Sequence, residues 1–374
     1  MTQISVMALP GRVDDDDAPV LFYLLRHGSW HEVPLTTRAP VLLSDIRKAV
    51  ERLLAAVMQR IGQGDPAAAL LVLRAKSQEW WDALVPGDVR QAITDGLADA
   101  AARNVVPELL IHTHGKLEWL PWELLHDGGD WLGLRFRISR LPIVVNGGVP
   151  PVGPRKVCQA RSFLGTRVFG DAEHEGYEAW ACTFDPFAVL GLESQRWPAN
   201  GLGGGGWPGL QEVVAAREAD IIHVTAHGGV DSDGRQYLTL NPDDDDFYGI
   251  DESIVSKELV FATPGPLVFG NACGSLAAGQ GPRVTRGLGV SFFDRGVAAY
   301  IGTMAPIGKD MAIRFAANFY RHLLQDREPV GEALRLAKRD QRDLDQDDPS
   351  WLFYCLYGLP GTRFVPGPLA GSTE

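Results

Sequence analysis

The chain has 374 residues and a formal net charge of −12. That length exceeds the usual size of one hydrophobic core, which predicts either two lobes or one large α/β domain. The acidic balance, without a cluster of lysine and arginine, argues against a nucleic-acid partner. No apolar stretch reaches the roughly 18 residues that cross a bilayer, and the N-terminus lacks a basic region followed by a hydrophobic segment. We therefore expect a cytosolic protein without a membrane partner.

Strand-like and helix-like patterns alternate in the first part of the chain. Short apolar runs predict strands and longer patterns predict helices. The predicted strands are 20–25, 69–74 and 109–113, and the predicted helices are 42–60 and 89–102. This alternation predicts a βαβ arrangement.

A segment rich in proline and glycine, 147–155, follows these elements. Proline removes backbone donors and glycine adds chain entropy, so the segment sustains neither a helix nor a central strand. We predict an N-terminal α/β lobe over 1–146 without catalytic residues, a linker over 147–155, and a second lobe over 156–368.

The second lobe repeats the alternation of strands and helices. The predicted strands are 221–225, 237–240, 267–269, 297–302 and 352–357. Apolar residues at helical spacing predict helices around 315–323 and 330–337. The glycine-rich stretch 201–206 is predicted to be a loop and not a phosphate cradle, because no Lys-Ser/Thr pair follows it.

No cofactor or metal is expected. The four cysteines form no Cys-x-x-Cys pair, which argues against both a zinc site and a disulfide framework. The aspartate runs 14–17 and 243–246 have two interpretations, a solvated loop or a divalent-cation site. They lack the alternating oxygens and the glycine of a dedicated calcium loop, and this favours the loop.

A histidine and a cysteine end two of the predicted strands. His227 and Cys273 are 46 positions apart, and glycine follows each of them. Either residue alone is usually buried in a core. Together they supply what thiolate attack on a carbonyl needs: the Cys273 sulfur, the His227 imidazole, and the amides of Gly228 and Cys273 for the oxygen that becomes negative.

These motifs, with others along the chain, resemble the CHAT domain proteins, a family of caspase- and separase-like cysteine proteases. The resemblance covers about residues 105–360. It includes Leu120-Pro121-Trp122-Glu123-Leu124-Leu125-His126-Asp127, Leu132-Gly133-Leu134-Arg135, Ile138-Ser139-Arg140, Ile221-Ile222-His223-Val224-Thr225-Ala226-His227-Gly228, Asn271-Ala272-Cys273, Gly296-Val297-Ala298, Phe319-Tyr320 and Glu332-Ala333-Leu334.

The resemblance implies a caspase-like sandwich, with a central, mostly parallel six-stranded sheet flanked by helices, and an N-terminal α/β lobe that resembles a caspase domain without catalytic residues. It also implies peptide-bond hydrolysis of a protein substrate. Cys273 is then the nucleophile, His227 the general acid/base, and the Gly228 and Cys273 amides form the oxyanion hole. Relatives of this kind act in prokaryotic defence, where a protein partner activates them.

Asp310 is the candidate for substrate specificity. In the family, an aspartate at the matching position faces a basic residue before the cut. The surrounding stretch, Met304-Ala305-Pro306-Ile307-Gly308-Lys309-Asp310, lacks the tryptophan of the family pattern. The alternative for Asp310 is an N-cap of a helix over 311–324, since aspartate favours that position.

Other candidates have simpler interpretations. Asp231 and Asp233 follow His227 closely, but Asp-Ser-Asp-Gly is also typical of a hairpin turn. His223 lies on the strand of His227 and is predicted to be a packed core residue. Two further functions stay open from the sequence: a scaffold that keeps the fold without turnover, and a thiol hydrolase or acyltransferase that acts on small molecules.

Overall fold

Two units make up the chain, and each contains strands and helices. The computed structural model describes residues 3–10, 19–26, 29–33, 42–113, 117, 120–143, 154–157, 159–164, 193–197, 206–216, 219–230, 236–239, 249–261, 265–273 and 287–366. The first unit comprises Met1–Ile143 and Lys338–Cys355, and the second comprises Val144–Ala337 and Leu356–Glu374. Residues 147–153 of the predicted linker lie outside the described residues, and the predicted domain limits stay predictions.

The first unit contains a mixed sheet and four helices. The strands are β1 (Gln3–Pro10), β2 (Val20–Arg26), β3 (Ser29–Val33), β4 (Glu108–Thr113) and β5 (Arg137–Pro142), and the helices are α1 (Leu43–Gly62), α2 (Pro66–Leu84), α3 (Gly87–Ala102) and the short α4 (Leu132–Arg135). β4 pairs in parallel with β1 and β5, whereas β2 pairs antiparallel with β1 and β3. The crossover from β1 to β4 contains the three long helices, as parallel pairing requires.

One predicted strand in this unit is wrong. Residues 69–74 lie inside α2, which begins at Pro66. The Asp65 carboxylate caps this helix by accepting the Ala68 amide at 3.2 Å, and proline is tolerated at the first helical position. A short apolar run is compatible with a strand and with a buried helix. Here the Asp65-Pro66 pair before the run is a helix start signal and indicates the helix.

The second unit is built around one long strand. Its strands are β6 (Pro154–Val157), β7 (Gln159–Leu164), β8 (Glu193–Trp197), β9 (Ile221–Val230), β10 (Gln236–Thr239), β11 (Gly249–Asp251), β12 (Leu267–Ala272), β13 (Ala299–Thr303), β14 (Tyr354–Gly358, which begins in the first unit) and β15 (Arg363–Pro366). β9 has parallel neighbours on both sides, β7 and β12, and β12 pairs in parallel with β13. The carboxyl end of β9 pairs antiparallel with β10.

Helices connect these strands. They are α5 (Gly206–Ala216), α6 (Glu252–Glu258), α7 (Leu288–Asp294), α8 (Lys309–Tyr320) followed by a π-helical turn (Arg321–Gln325), and α9 (Val330–Leu344), which ends in the first unit. Strands β12 and β13 are buried along their whole length, and β9 is buried from Ile221 to Val224, as is typical of a parallel sheet covered on both faces. The predicted α/β class with a mostly parallel central sheet flanked by helices is confirmed.

A charged cluster lies in the core of the first unit. The carboxylate of Glu123 accepts hydrogen bonds from two nitrogens of Arg140, one of them Nε at 3.1 Å, and Arg140 also donates to the Leu120 carbonyl at 2.9 Å. Glu123, Arg140 and Lys338 are at most 2% exposed. Burial alone would raise the pKa of Glu123, but Arg140 and Lys338 hold it below its usual value. Burial lowers the pKa of Lys338 and raises that of the neighbouring Cys355 thiol. The Leu-Pro-Trp-Glu motif is therefore part of a buried ion network.

Candidate active site

The register between β9 and β12 sets the positions of the predicted pair. Leu267 lies opposite Ile221, and Ala272 lies opposite Ala226. His227 and Cys273 are the next residues along the two strands. Neighbouring strands lie about 4.8 Å apart, so the two backbones are side by side where β12 ends. The fold thus brings together the two positions that the sequence singles out.

Gly228 lies against the backbone of Cys273. A methyl group added at Gly228 would overlap the Cys273 carbonyl oxygen, and it would also lie 3.3 Å from Ala272 Cβ and 3.3 Å from the Tyr237 carbonyl oxygen. Only glycine permits this close approach. The glycine after the histidine is therefore required by packing, whatever its amide does in chemistry.

Cys273 is half-buried and is a free thiol. It occupies the turn directly after β12. Its Sγ lies 3.7 Å from the carbonyl oxygen of Ile307, in the segment between β13 and α8, and is placed to donate a weak hydrogen bond to that oxygen. The contact links the nucleophile's turn to the segment before α8.

Two polar side chains hold the end of β12. The Asn271 side-chain amide donates to the Ala312 carbonyl in α8 at 3.2 Å. The Thr303 hydroxyl, at the end of β13, donates to the Ala272 carbonyl at 2.7 Å. Asn271 belongs to the Asn-Ala-Cys motif of the sequence, but the sequence assigns it no role. Thr303 carries no comparable signal, because only the strand register brings it next to Ala272.

His223 is a core residue, as predicted. It is 3% exposed, and its ring stacks on Phe269 with centroids 5.1 Å apart. Its two nitrogens make hydrogen bonds of 2.9 Å with the Tyr320 hydroxyl and the Thr225 hydroxyl. Burial lowers the pKa of His223 to about 3. The imidazole is therefore neutral and serves packing in the layer below the site.

The buried, neutral His223 predicts a dependence of stability on pH. An unfolded histidine ionises near pH 6.5, so between about pH 6.5 and pH 3 the unfolded chain binds a proton that the folded chain does not. From this group alone, the free energy of unfolding should fall by about 1.4 kcal/mol for each pH unit below about 6.5. His223→Gln keeps a polar side chain beside Tyr320 and should lose this part of the slope in urea unfolding curves. The exposed His31→Gln is the matched control, and equal slopes for wild type and His223→Gln would contradict the prediction.

Asp310 lies in the first turn of α8 and is exposed. The N-cap of this helix is Gly308, so the alternative of Asp310 as an N-cap is wrong: the helix begins two residues earlier than the predicted 311–324. A carboxylate in the first turn still interacts favourably with the helix dipole. Asp310 follows Ile307, the residue whose carbonyl meets Cys273, by three positions. Its specificity role stays a prediction.

Several predicted features lie outside the described residues: Asp231, Asp233, Gly274, Ser275, the aspartate runs 14–17 and 243–246, and residues 201–205 of the glycine-rich stretch. Across the ranges that are described, no group of three or more histidine, cysteine, aspartate or glutamate side chains could hold a metal ion. None of the helices in the described part of the chain is long and apolar enough to span a membrane. The cytosolic location stays a prediction.

Comparison with solved structures finds proteins whose fold is similar to that of this chain. Two structures of the Saccharomyces cerevisiae separase–securin complex match with TM-scores of 0.59 and 0.60 at 10% sequence identity, over 98% of this chain and 30% of the other. The chain thus spans less than a third of the length of those separase chains. A structure described as a protease matches with a TM-score of 0.51 at 12% identity, over 78% of this chain and 74% of the other. Identities this low show the fold alone.

Sequence comparison matches part of the chain to one family. No curated protein matches the sequence. The family model for the CHAT domain matches residues 209–358, a range that contains β9, β12 and both members of the predicted pair. This confirms the resemblance found in the sequence. Residues 209–358 are therefore similar to the CHAT domain, and the fold of the chain is similar to that of separase.

Proposed function

We propose that the chain is a cysteine endopeptidase in which Cys273 and His227 form the catalytic dyad. The observation that carries this proposal is the register of β9 and β12, which ends at Ala226 opposite Ala272, the residues directly before His227 and Cys273. The close packing of Gly228 on the Cys273 backbone supports it, because it fixes the nucleophile's turn against the histidine's strand. The CHAT match and the separase-like fold agree with protease chemistry.

The reaction is an acyl transfer through sulfur. The Cys273 sulfur attacks the carbonyl carbon of the scissile peptide, and the carbonyl electron pair moves to oxygen. His227 receives the thiol proton and passes it to the leaving amine as the C–N bond breaks. Water, deprotonated by His227, then attacks the thioester and releases the acid and the free thiol. The amides of Gly228 and Cys273 stabilise the oxyanion in both steps.

The resting contact between Cys273 and Ile307 supports an enzyme that needs activation. The sulfur is placed to donate a hydrogen bond to the Ile307 carbonyl at 3.7 Å, so it is engaged with this segment before substrate arrives. We propose that a protein partner displaces the segment before α8 and so frees the sulfur. By analogy with relatives, the setting is a prokaryotic defence or regulatory system, and the securin complex of separase shows that a protein of this fold binds a protein partner.

Asp310 is proposed to select the residue before the cut. Its exposed carboxylate begins α8, close in sequence to the segment that meets Cys273. An exposed carboxylate there would pair with arginine or lysine of the substrate.

The decisive experiment compares the full chain with Cys273→Ala on a denatured proteome and sequences the new N-termini. We expect cuts that depend on Cys273, at a consistent residue. Cys158→Ala, which removes a thiol elsewhere in the sequence, should cut as the wild type does. In the same experiment Asp310→Asn should lose any preference for arginine or lysine before the cut. Identical N-termini from wild type and Cys273→Ala, also with proteins encoded beside the gene added, would reject the endopeptidase and favour a scaffold without turnover.

A further inference from the structure

Thr303 connects β13 to β12 beyond the last residue pair in the register of these two strands. The paired register of the two strands runs from Leu267 opposite Ala299 to Phe269 opposite Ile301. Beyond that point the pairing of β12 with β9 continues up to Ala272. The Thr303 hydroxyl reaches across and donates to the Ala272 carbonyl at 2.7 Å. Thr303 is completely buried, so this bond is shielded from water.

The Ala272 carbonyl belongs to the same peptide group as the Cys273 amide. A peptide group is planar and trans, so its C=O and N–H bonds point in opposite directions. A donor that fixes the direction of the carbonyl therefore fixes the direction of the amide as well. We propose that Thr303 is a positioning residue that aims the Cys273 N–H at the oxyanion of the transition state. This inference rests on the proposed function, in which that amide is an oxyanion donor.

The peptide on the other side of Cys273 is held separately. The Cys273 carbonyl packs on Gly228, where no side chain fits. Asn271, one residue before Ala272, is anchored to α8 through the Ala312 carbonyl. With these contacts in place, loss of the Thr303 hydroxyl would free the rotation of one peptide group while the sulfur keeps its place. The direction of the Cys273 amide and the position of the Cys273 sulfur can therefore be tested separately.

The expected size follows from what an oxyanion donor contributes. Removing one donor outright lowers kcat by about 100- to 1000-fold in well-studied cases. A donor that is present but poorly directed keeps part of this contribution, so we expect Thr303→Val to lower kcat by about 10- to 100-fold. Thr303→Ser keeps the hydroxyl and should stay within about 3-fold of the wild type.

The test measures two reactions of the same sulfur in the full-length chain. One is hydrolysis of the peptide that the wild type cleaves best, with kcat and KM determined separately. The other is alkylation of Cys273 by iodoacetamide, in which sulfur displaces iodide and no oxyanion forms. We expect Thr303→Val to lose kcat with nearly unchanged KM and alkylation rate, and Thr303→Ser to restore kcat. Melting temperatures of both variants identify a loss that comes from folding.

Each other outcome has a definite meaning. An active wild type with an equally active Thr303→Val variant would overturn the inference and leave the proposed function standing. Parallel loss of hydrolysis and alkylation, or equal loss in the valine and serine variants, would also overturn it, because Thr303 would then act on general packing. A wild type that alkylates but cleaves nothing, also with proteins encoded beside the gene added, would overturn the proposed function itself, and with it the role of Thr303.

Discussion

Replacing Glu123 by alanine is expected to lower the free energy of unfolding by about 3–5 kcal/mol, the largest change in stability predicted for this chain. Its carboxylate is 2% exposed and is paired with Arg140 through two nitrogens. Removing it takes both carboxylate acceptors from the buried Arg140 guanidinium and removes an anion that interacts with the buried Lys338. An uncompensated buried charge costs more than the pair itself contributes.

Urea unfolding followed by circular dichroism measures this effect. Glu79→Ala is the matched control, because Glu79 forms an exposed pair with Lys76 and its loss should leave the free energy of unfolding nearly unchanged. A double variant, Glu123→Leu with Arg140→Met, should be less destabilised than Glu123→Ala, since it removes both charges. An equal free energy of unfolding for Glu123→Ala and Glu79→Ala would show that the buried ion network does not stabilise the core.

Gly228→Ala is expected to lower turnover by about 100-fold or more, because displacing a reacting group by about 1 Å has effects of this size. The added methyl would overlap the Cys273 carbonyl oxygen, so the turn that carries the nucleophile must move. Forcing a methyl group into a packed site also costs roughly 1–3 kcal/mol of stability. Peptide hydrolysis and melting temperature, measured on the same preparation, report the two effects.

Two other glycines test whether the effect is local. At Gly87, the first residue of α3, an added methyl meets no atom within 4 Å, so Gly87→Ala should keep full activity. At Gly229 the methyl would lie 2.7 Å from the Tyr237 hydroxyl, the end of a side chain that can rotate away. Gly229→Ala should therefore have an intermediate effect. Turnover of Gly228→Ala equal to that of Gly87→Ala would show that the Cys273 turn adjusts freely.

Local sequence patterns predicted most of the elements but not all of them. A short β-branched run over 221–225 predicts strand β9, and apolar residues at helical spacing predict helix α9. For residues 69–74 a similar short apolar run predicts a strand wrongly, because such a run has no period of its own and only the Asp65-Pro66 start signal distinguishes it from a helix. Strand β1 was not predicted, although it pairs with two neighbours through residues distant in sequence. Such pairing is invisible to local patterns.

The sequence likewise predicts some residues of the candidate site and not others. The sequence predicts His227, Gly228 and Cys273 as site residues. The histidine and the cysteine each follow an apolar run and precede a glycine, in a pattern that resembles a known family. Thr303 and the Ile307 carbonyl were not found, since each meets the site across more than 30 residues of chain. A threonine hydroxyl and a backbone carbonyl are common groups that give no signal in a sequence. They acquire a role only because the folded chain brings them next to the site.

The discontinuous first unit has a consequence for the order of folding during synthesis. Glu123 and Arg140 leave the ribosome long before Lys338 and Cys355, which complete the same unit. At about 5–20 residues per second, translation separates Arg140 from Lys338 by roughly 10–40 s. During that interval residues 144–337 of the second unit are made while the nascent first unit lacks part of its core. The first unit therefore cannot complete its core until most of the second unit has been synthesised, although its own first segment is synthesised before any of it.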